Sequence, residues 1–213
     1  MERWATFDCY GTLIDWNGGI GRELERLFGV GGVAPLLHRY HDVEPEVQRE
    51  DPSRSYRQVM AIALARLGVP PEEQDALGRS LPSWKPFPEV RAELEEVRAR
   101  GWKLAILSNT DRDFVEASLE RIGVPFALAL VASELGSYKP ARVHWDAFFE
   151  RTGAPREGHV HVGASLFHDV APAAALGLRT IWVNRLGQEP EPQPDVELHT
   201  LDGLADALDS LVP

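Results

Sequence analysis

The stretch WATFDCYGTLID, residues 4–15, is a short apolar run that stops on an aspartate and turns at once. WATF reads as a buried strand, Asp8 stands at its carboxyl end, and Gly11 permits the tight turn that follows. Three further apolar runs have the same character: KLAIL before Ser108, HVHVG at 159–163 and TIWV at 180–183, with ALALV at 127–131 a weaker fifth. Helical patterns separate them, at Val90–Ala99, Phe114–Ile122, Trp145–Arg151 and Ala171–Leu176. Strands alternating with helices predict an α/β domain with a parallel sheet. Ligands bind beyond the carboxyl ends of such strands, so Asp8, Ser108 and Gly163 are expected to converge.

From Asp15 to about Ser83 the rhythm changes. Apolar positions follow helical spacing (Leu24, Leu27 and Phe28, then Leu36–Val47, Tyr56–Leu67 and Glu72–Leu81), and no convincing strand occurs. Gly29–Val30–Gly31–Gly32 and Pro70–Pro71 punctuate the segment. The expected organisation is a Rossmann-like core of residues 1–14 and 85–213, with a helical cap at 15–84 over the strand ends. WKPFPEV is a stiff connector back to the core, QEPEPQPD at 188–195 reads as a surface loop, and Leu201–Leu211 as a closing helix.

With 213 residues and 44% apolar content the chain can bury a full core. Its net charge of −11 argues against nucleic acid and against an anionic membrane as partners. A small anionic substrate stays open, because only the field within a cleft matters. Runs such as FALALVA fall far short of a membrane span. The first residues enter a strand directly, so no signal peptide is expected. The single cysteine, Cys9, excludes an internal disulfide, and a cytoplasmic location is expected. Cys9 reads as a small apolar residue beside the site rather than as a nucleophile. Six tryptophans leave room for an aromatic homodimer interface, although core packing explains them equally well.

FDCYGTL, LSNT, SYKP and GASLFHD stand in the order and spacing of the four motifs of the haloacid dehalogenase-like hydrolase superfamily, which the chain resembles over essentially its whole length. The resemblance implies that Asp8 is the nucleophile, that Thr12 holds its second oxygen, and that Ser108 and Asn109 face the substrate. Lys139 would bring a positive charge to Asp8 and keep it ionised, and Asp169 would orient Lys139 or the attacking water. An ionised carboxylate is a modest nucleophile that needs such orientation and charge compensation. Taken singly, the residues also fit a blander reading, with Asp8 capping a turn and Lys139 solvated in a loop.

Two departures separate the chemistries. Phosphatases of the superfamily carry an aspartate two residues after the nucleophile, where this chain has Tyr10, and Gly-Asp in the fourth motif, where it has Gly163–Ala164. A Mg²⁺ shell would be left with Asp8, the Tyr10 carbonyl and Asp169. The form D-x-Y-G-T-L instead resembles the L-2-haloacid dehalogenase branch, which uses no metal or other cofactor. There Asp8 would displace halide from carbon 2, and water would hydrolyse the aspartyl ester. By that resemblance Arg39 cradles the halide, and Tyr10 and Trp145 line the substrate pocket. The branch's water-placing serine and asparagine fall on Ala164 and Leu166, leaving Ser165 and His168 as stand-ins, with His168 a candidate base. His38 and His41, spaced i, i+3, raise a metal site with no clear third ligand, whereas His159 and His161 read as structural. The expectation is a metal-independent 2-haloacid dehalogenase-type hydrolase. The alternatives are a Mg²⁺-dependent phosphatase of small phosphomonoesters and a non-catalytic binding protein.

Overall fold

The computed structural model describes every residue except Val30, so the glycine-rich breaker at 29–32 lies partly outside the described residues. Strands β1 (Trp4–Phe7), β2 (Lys103–Ser108), β3 (Leu128–Val131), β4 (His159–Gly163), β5 (Arg179–Val183) and β6 (Val196–Leu198) form one parallel sheet in the order β3-β2-β1-β4-β5-β6. Strand β1 is buried throughout, which explains a continuous apolar run where a half-exposed strand would alternate. The chain passes from β1 to β2 on one side and places β4 on the other. That reversal opens a crevice at the carboxyl ends of β1 and β4, where Phe7 pairs with Val162. Strand β6 was not expected: three residues, none fully buried, carry no apolar run to read.

Helices α1 (Trp16–Phe28), α2 (Val33–Glu50), α3 (Tyr56–Arg66) and α4 (Ala76–Ser80) follow β1 with no strand between them among the described residues. They lie over the strand ends, and the chain enters and leaves them side by side. Asp15 N–H donates to the Lys85 carbonyl at 2.9 Å, and Ile14 bridges Pro86. The remaining helices, α5 (Val90–Ala99), α6 (Arg112–Ile122), α7 (Ala132–Leu135), α8 (Val143–Thr152), α9 (Ala171–Ala175) and α10 (Leu204–Leu211), flank the sheet. Helix α5 buries Val90, Leu94 and Val97 on one face, the spacing its sequence carries.

Candidate active site

Asp8 is the first residue past β1, and its N–H donates to the Val162 carbonyl of β4 at 3.0 Å, which extends the sheet by one bond. Gly11, at φ 91°, turns the chain so that Thr12 comes back over Asp8. Thr12 Oγ1 donates to Asp8 Oδ2 at 2.8 Å and accepts from Ala164 N–H at 2.9 Å, tying the first and fourth motifs together. Lys139 Nζ, fully buried, donates to Asp8 Oδ1 at 3.0 Å and to Asp169 Oδ1 at 2.6 Å. Asn109 fixes the lysine's backbone: its Oδ1 accepts Lys139 N–H at 2.6 Å and its Nδ2 donates to the Lys139 carbonyl at 3.0 Å. Asp169 belongs to a single π turn at Leu166–Val170, a distortion that recurs at functional sites. Gly163 is required beneath it, because a Cβ there would lie 2.5 Å from Asp169 Cγ.

A chain of buried polar groups runs away from Asp169 under the sheet. His161 Nε2 lies 3.4 Å from Asp169 Oδ1, and Thr6 Oγ1 sits between His161 Nδ1 at 2.8 Å and His159 Nε2 at 2.9 Å. Burial holds both imidazoles below their usual range, hence neutral, and an ionised Asp169 can only accept, so the consistent order is that His159 donates to Thr6, Thr6 to His161, and His161 to Asp169. The two histidines are therefore structural in packing, but His161 also steadies Asp169.

The electrostatics depart from the sequence expectation in one respect. Burial opposes ionisation of both carboxyls, yet Lys139 and His161 outweigh it at Asp169 and hold that group well below its ordinary value. At Asp8 burial dominates, and with Asp169 nearby it raises the carboxyl to about 6 despite Lys139 and Thr12. Lys139 thus limits the rise without reversing it. The lysine itself is pushed up, since the two acids overcome its own burial.

These groups open onto a cavity of about 410 Å³. Asp8, Tyr10, Asn109, Lys139 and Asp169 line it from the core, together with Ser165 and His168; Trp16, Asn17, His41, Glu44, Pro45, Gln48 and Tyr56 line it from the helices. Tyr10 stacks on Tyr56 at 6.5 Å, and its hydroxyl meets Ser118 Oγ at 2.9 Å.

Residues 3–177 match the family model described as haloacid dehalogenase-like hydrolase. The chain belongs to the haloacid dehalogenase-like hydrolases. Haloacetate dehalogenase H-2 of Moraxella sp. (strain B) is 33% identical over 93% of this chain and 94% of its own length. Phosphoserine phosphatase of Thermus thermophilus is 33% identical over 67% of this chain and 61% of its own. A crystal structure of an L-2-haloacid dehalogenase superposes with a TM-score of 0.86 at 26% identity, covering 98% of this chain and 99% of that one. The protein is accordingly a hydrolase with the α/β fold of this family.

Within that family framework three expected site residues lie elsewhere. Arg39 is exposed on the outer side of α2, donates to the Arg66 carbonyl at 3.1 Å, and does not line the cavity. Trp145 is wholly buried behind the sheet against Phe148 and His161, so it is a core tryptophan and not a pocket wall. Ser108 lies beneath the cavity, fully buried, and its Oγ has no hydrogen-bond partner among the described residues. Cys9 is likewise in the core, and burial pushes its thiol well up. His38 is exposed and does not line the cavity, so it is not brought together there with His41.

Several lining residues were given no place in the substrate pocket by the sequence reading. Arg185 sits over the Phe87 ring, pairs with Glu89 at 2.7 Å and donates to the Thr12 carbonyl. His41 stacks on Trp16 and bonds Asn17 Oδ1 at 2.9 Å, and Glu44 is buried in the helical wall. The recurrence His41, Glu44, Gln48 was a readable signal, because i, i+3 and i+7 share one helix face. For a divalent ion the donors are Asp8, the Tyr10 carbonyl and Asp169. Both carboxylates already share one ammonium, and Ala164 adds no ligand. Among the described residues no group of three or more His, Cys, Asp or Glu is placed to hold a metal, and no helix is long and apolar enough to cross a membrane.

Proposed function

We propose that the protein is a 2-haloacid dehalogenase-type hydrolase that acts on a small 2-substituted carboxylate through an aspartyl ester on Asp8, with no metal. The observation that carries this reading is the Asp8–Lys139–Asp169 array, in which a buried lysine ammonium lies 3.0 Å from the attacking carboxylate and 2.6 Å from Asp169. The names of the dehalogenase relatives point the same way.

In the first step an Asp8 oxygen bonds to carbon 2 while the carbon–halogen bond breaks and halide leaves with the electron pair. A halide needs no proton, so Tyr10 in the place of a phosphatase acid is no handicap. Arg185, the arginine that does line the cavity, takes the donor role first assigned to Arg39. In the second step water attacks the ester carbonyl. Its proton passes to His168, whose Nδ1 is engaged by Ser165 Oγ at 3.1 Å and which burial lowers to about 4, so it is neutral and able to accept at pH 7. As the acyl bond breaks, the leaving 2-alkoxide takes the remaining proton of the attacking water from the tetrahedral intermediate, which frees the 2-hydroxy acid and restores the Asp8 carboxylate. The proton on His168 then leaves to solvent.

The test is halide release from L-2-chloropropionate with EDTA present. Release is expected, with loss of about a thousandfold or more in Asp8→Asn and an ester on Asp8 detectable by mass spectrometry. No release by the unaltered protein, alongside Mg²⁺-dependent release of phosphate from small phosphomonoesters, would overturn the reading in favour of a phosphatase.

A further inference from the structure

The helical wall of the cavity carries no positive charge. Of the ionisable side chains lining the cavity, the bases are Lys139 and Arg185 and the acids are Asp8, Asp15, Glu44 and Asp169, with His41 and His168 beside them. Lys139 is shared by Asp8 and Asp169, and Arg185 is balanced by Glu89. Asp15 accepts Gly18 N–H at 2.9 Å and has Arg22 within 3.8 Å. Glu44 is 6% exposed and meets only neutral donors, Gln48 Nε2 at 2.5 Å and the Tyr56 hydroxyl. Among the described residues it has no cationic partner. A carboxyl set into a cavity wall without a counter-charge costs folding energy, and a ligand is one way to supply the missing charge.

The groups around Glu44 are turned the same way. Gln48 spends its N–H on Glu44, leaving Oε1 as an acceptor, and Asn17 Oδ1 keeps a second lone pair beyond the one His41 uses. Pro45, inside α2, has no N–H to offer the His41 carbonyl one turn back, which takes away that acceptor's usual helical partner. The cavity, at about 410 Å³, lies within the range of about 300–1,000 Å³ typical of small-molecule sites and leaves room beyond a three-carbon acid.

We infer that Glu44, with Gln48, Asn17 and the His41 carbonyl, forms a second binding subsite that takes a hydrogen-bond-donating cationic group, a primary ammonium, at the end of the substrate remote from Asp8. This rests on the proposed chemistry for the Asp8 end and adds the preferred substrate class: a small amino-bearing 2-halo acid, bound and turned over ahead of a simple haloacid such as 2-chloropropionate. Lys139 and the motif turns meet the electrophilic end; the α2 wall meets the ammonium.

Binding of halogen-free probes separates this claim from the claim about turnover. Calorimetric titration at pH 8 with 4-aminobutanoate and with pentanoate, equal in chain length, compares an ammonium with a methyl group at the remote end. The unaltered protein is expected to bind 4-aminobutanoate about tenfold or more tighter than pentanoate, as a charge-assisted bond in a buried site requires, and Glu44→Gln to bring the ratio close to one. Equal or weaker binding of the amine by the unaltered protein, no binding of it, or a preference undiminished in Glu44→Gln, overturns the subsite. The first two outcomes need no variant to fold. Halide release in the earlier assay with no amine preference would sink this inference alone; amine preference without halide release would sink the dehalogenation and leave the subsite standing.

Discussion

Burial opposes ionisation of both acids, and Lys139, 2.6 Å from Asp169 and 3.0 Å from Asp8, offsets it unequally. The nearer pair, supported by His161, stays ionised; Asp8 absorbs the cost of burial and of a second carboxylate, and rises to about 6. Only the ionised form of Asp8 can attack carbon. Activity should therefore fall about tenfold per pH unit below about 6 and flatten above it. Removing the ammonium in Lys139→Met takes away the one cation that restrains Asp8, so the acid limb should move up by about one unit or more. Measuring kcat/KM for halide release against pH in both proteins checks this. A limb near pH 4 in the unaltered protein, or one that does not move in the variant, would show that some other group governs the rate.

Helix α2 makes the same point at the scale of an element. Consecutive helical residues are about 100° apart, so Arg39 and His41, two positions apart, point to nearly opposite sides. Matching by distance along the chain chose Arg39; the fold turned the His41, Glu44 and Gln48 face inward instead. The strands were legible because burial on both sides leaves a continuous apolar run, and Asp8 and Ser108 because they stand at strand ends; Lys139 and Asp169 stand in turns and were reached through the resemblance of their motifs. Trp145 and β6 were not. An aromatic on α8 packs equally well toward a pocket or a sheet, and three residues with an exposed glutamate between two half-buried apolar ones are too few to give a pattern. Glu44 also makes α2 sensitive to pH. Burial raises it from 4.5 to about 7 in the folded protein, so between those values the native state keeps a proton the unfolded chain has lost. The stability this group contributes is fully present below about 4.5 and is lost as pH rises through about 7. Glu44→Gln removes that loss. Relative to the unaltered protein it should gain up to about 3 kcal/mol on going from pH 5 to pH 8, read from urea unfolding at both values. A difference that does not change with pH would mean that Glu44 is solvated in the native state.

Over the whole molecule, the cavity depends on how the helices are held above the strand ends, and one core aspartate makes a direct link between the two layers. Asp111 precedes α6 but makes no side-chain bond to that helix. Its carboxylate reaches across to α3 and accepts Tyr56 N–H at 2.8 Å and Arg57 N–H at 3.0 Å, while Ser55 takes the next N–H, that of Gln58. The first turn of α3 is thus satisfied partly from the other layer, with a negative charge at the positive end of the helix. Tyr56 is the residue most affected, since it stacks on Tyr10, accepts Trp16 Nε1–H at 3.0 Å and forms part of the cavity wall. Asp111→Ala should cost about 1–3 kcal/mol, about 2–4 °C in Tm for each kcal/mol, and should raise KM because the wall carrying Tyr56 and Glu44 is released from the core. Asp113→Ala is the matched control. It removes a carboxylate of the same helix whose partner, Arg57, is bound at the surface, with the side chains 63% and 46% exposed. Its effect should stay within about 1 kcal/mol, and KM should not move. If the two substitutions proved equal in Tm and KM, the helices would be held by their apolar packing and their other polar links, such as Tyr138 to the Arg54 carbonyl, and the cavity geometry would not depend on the link from Asp111 to α3.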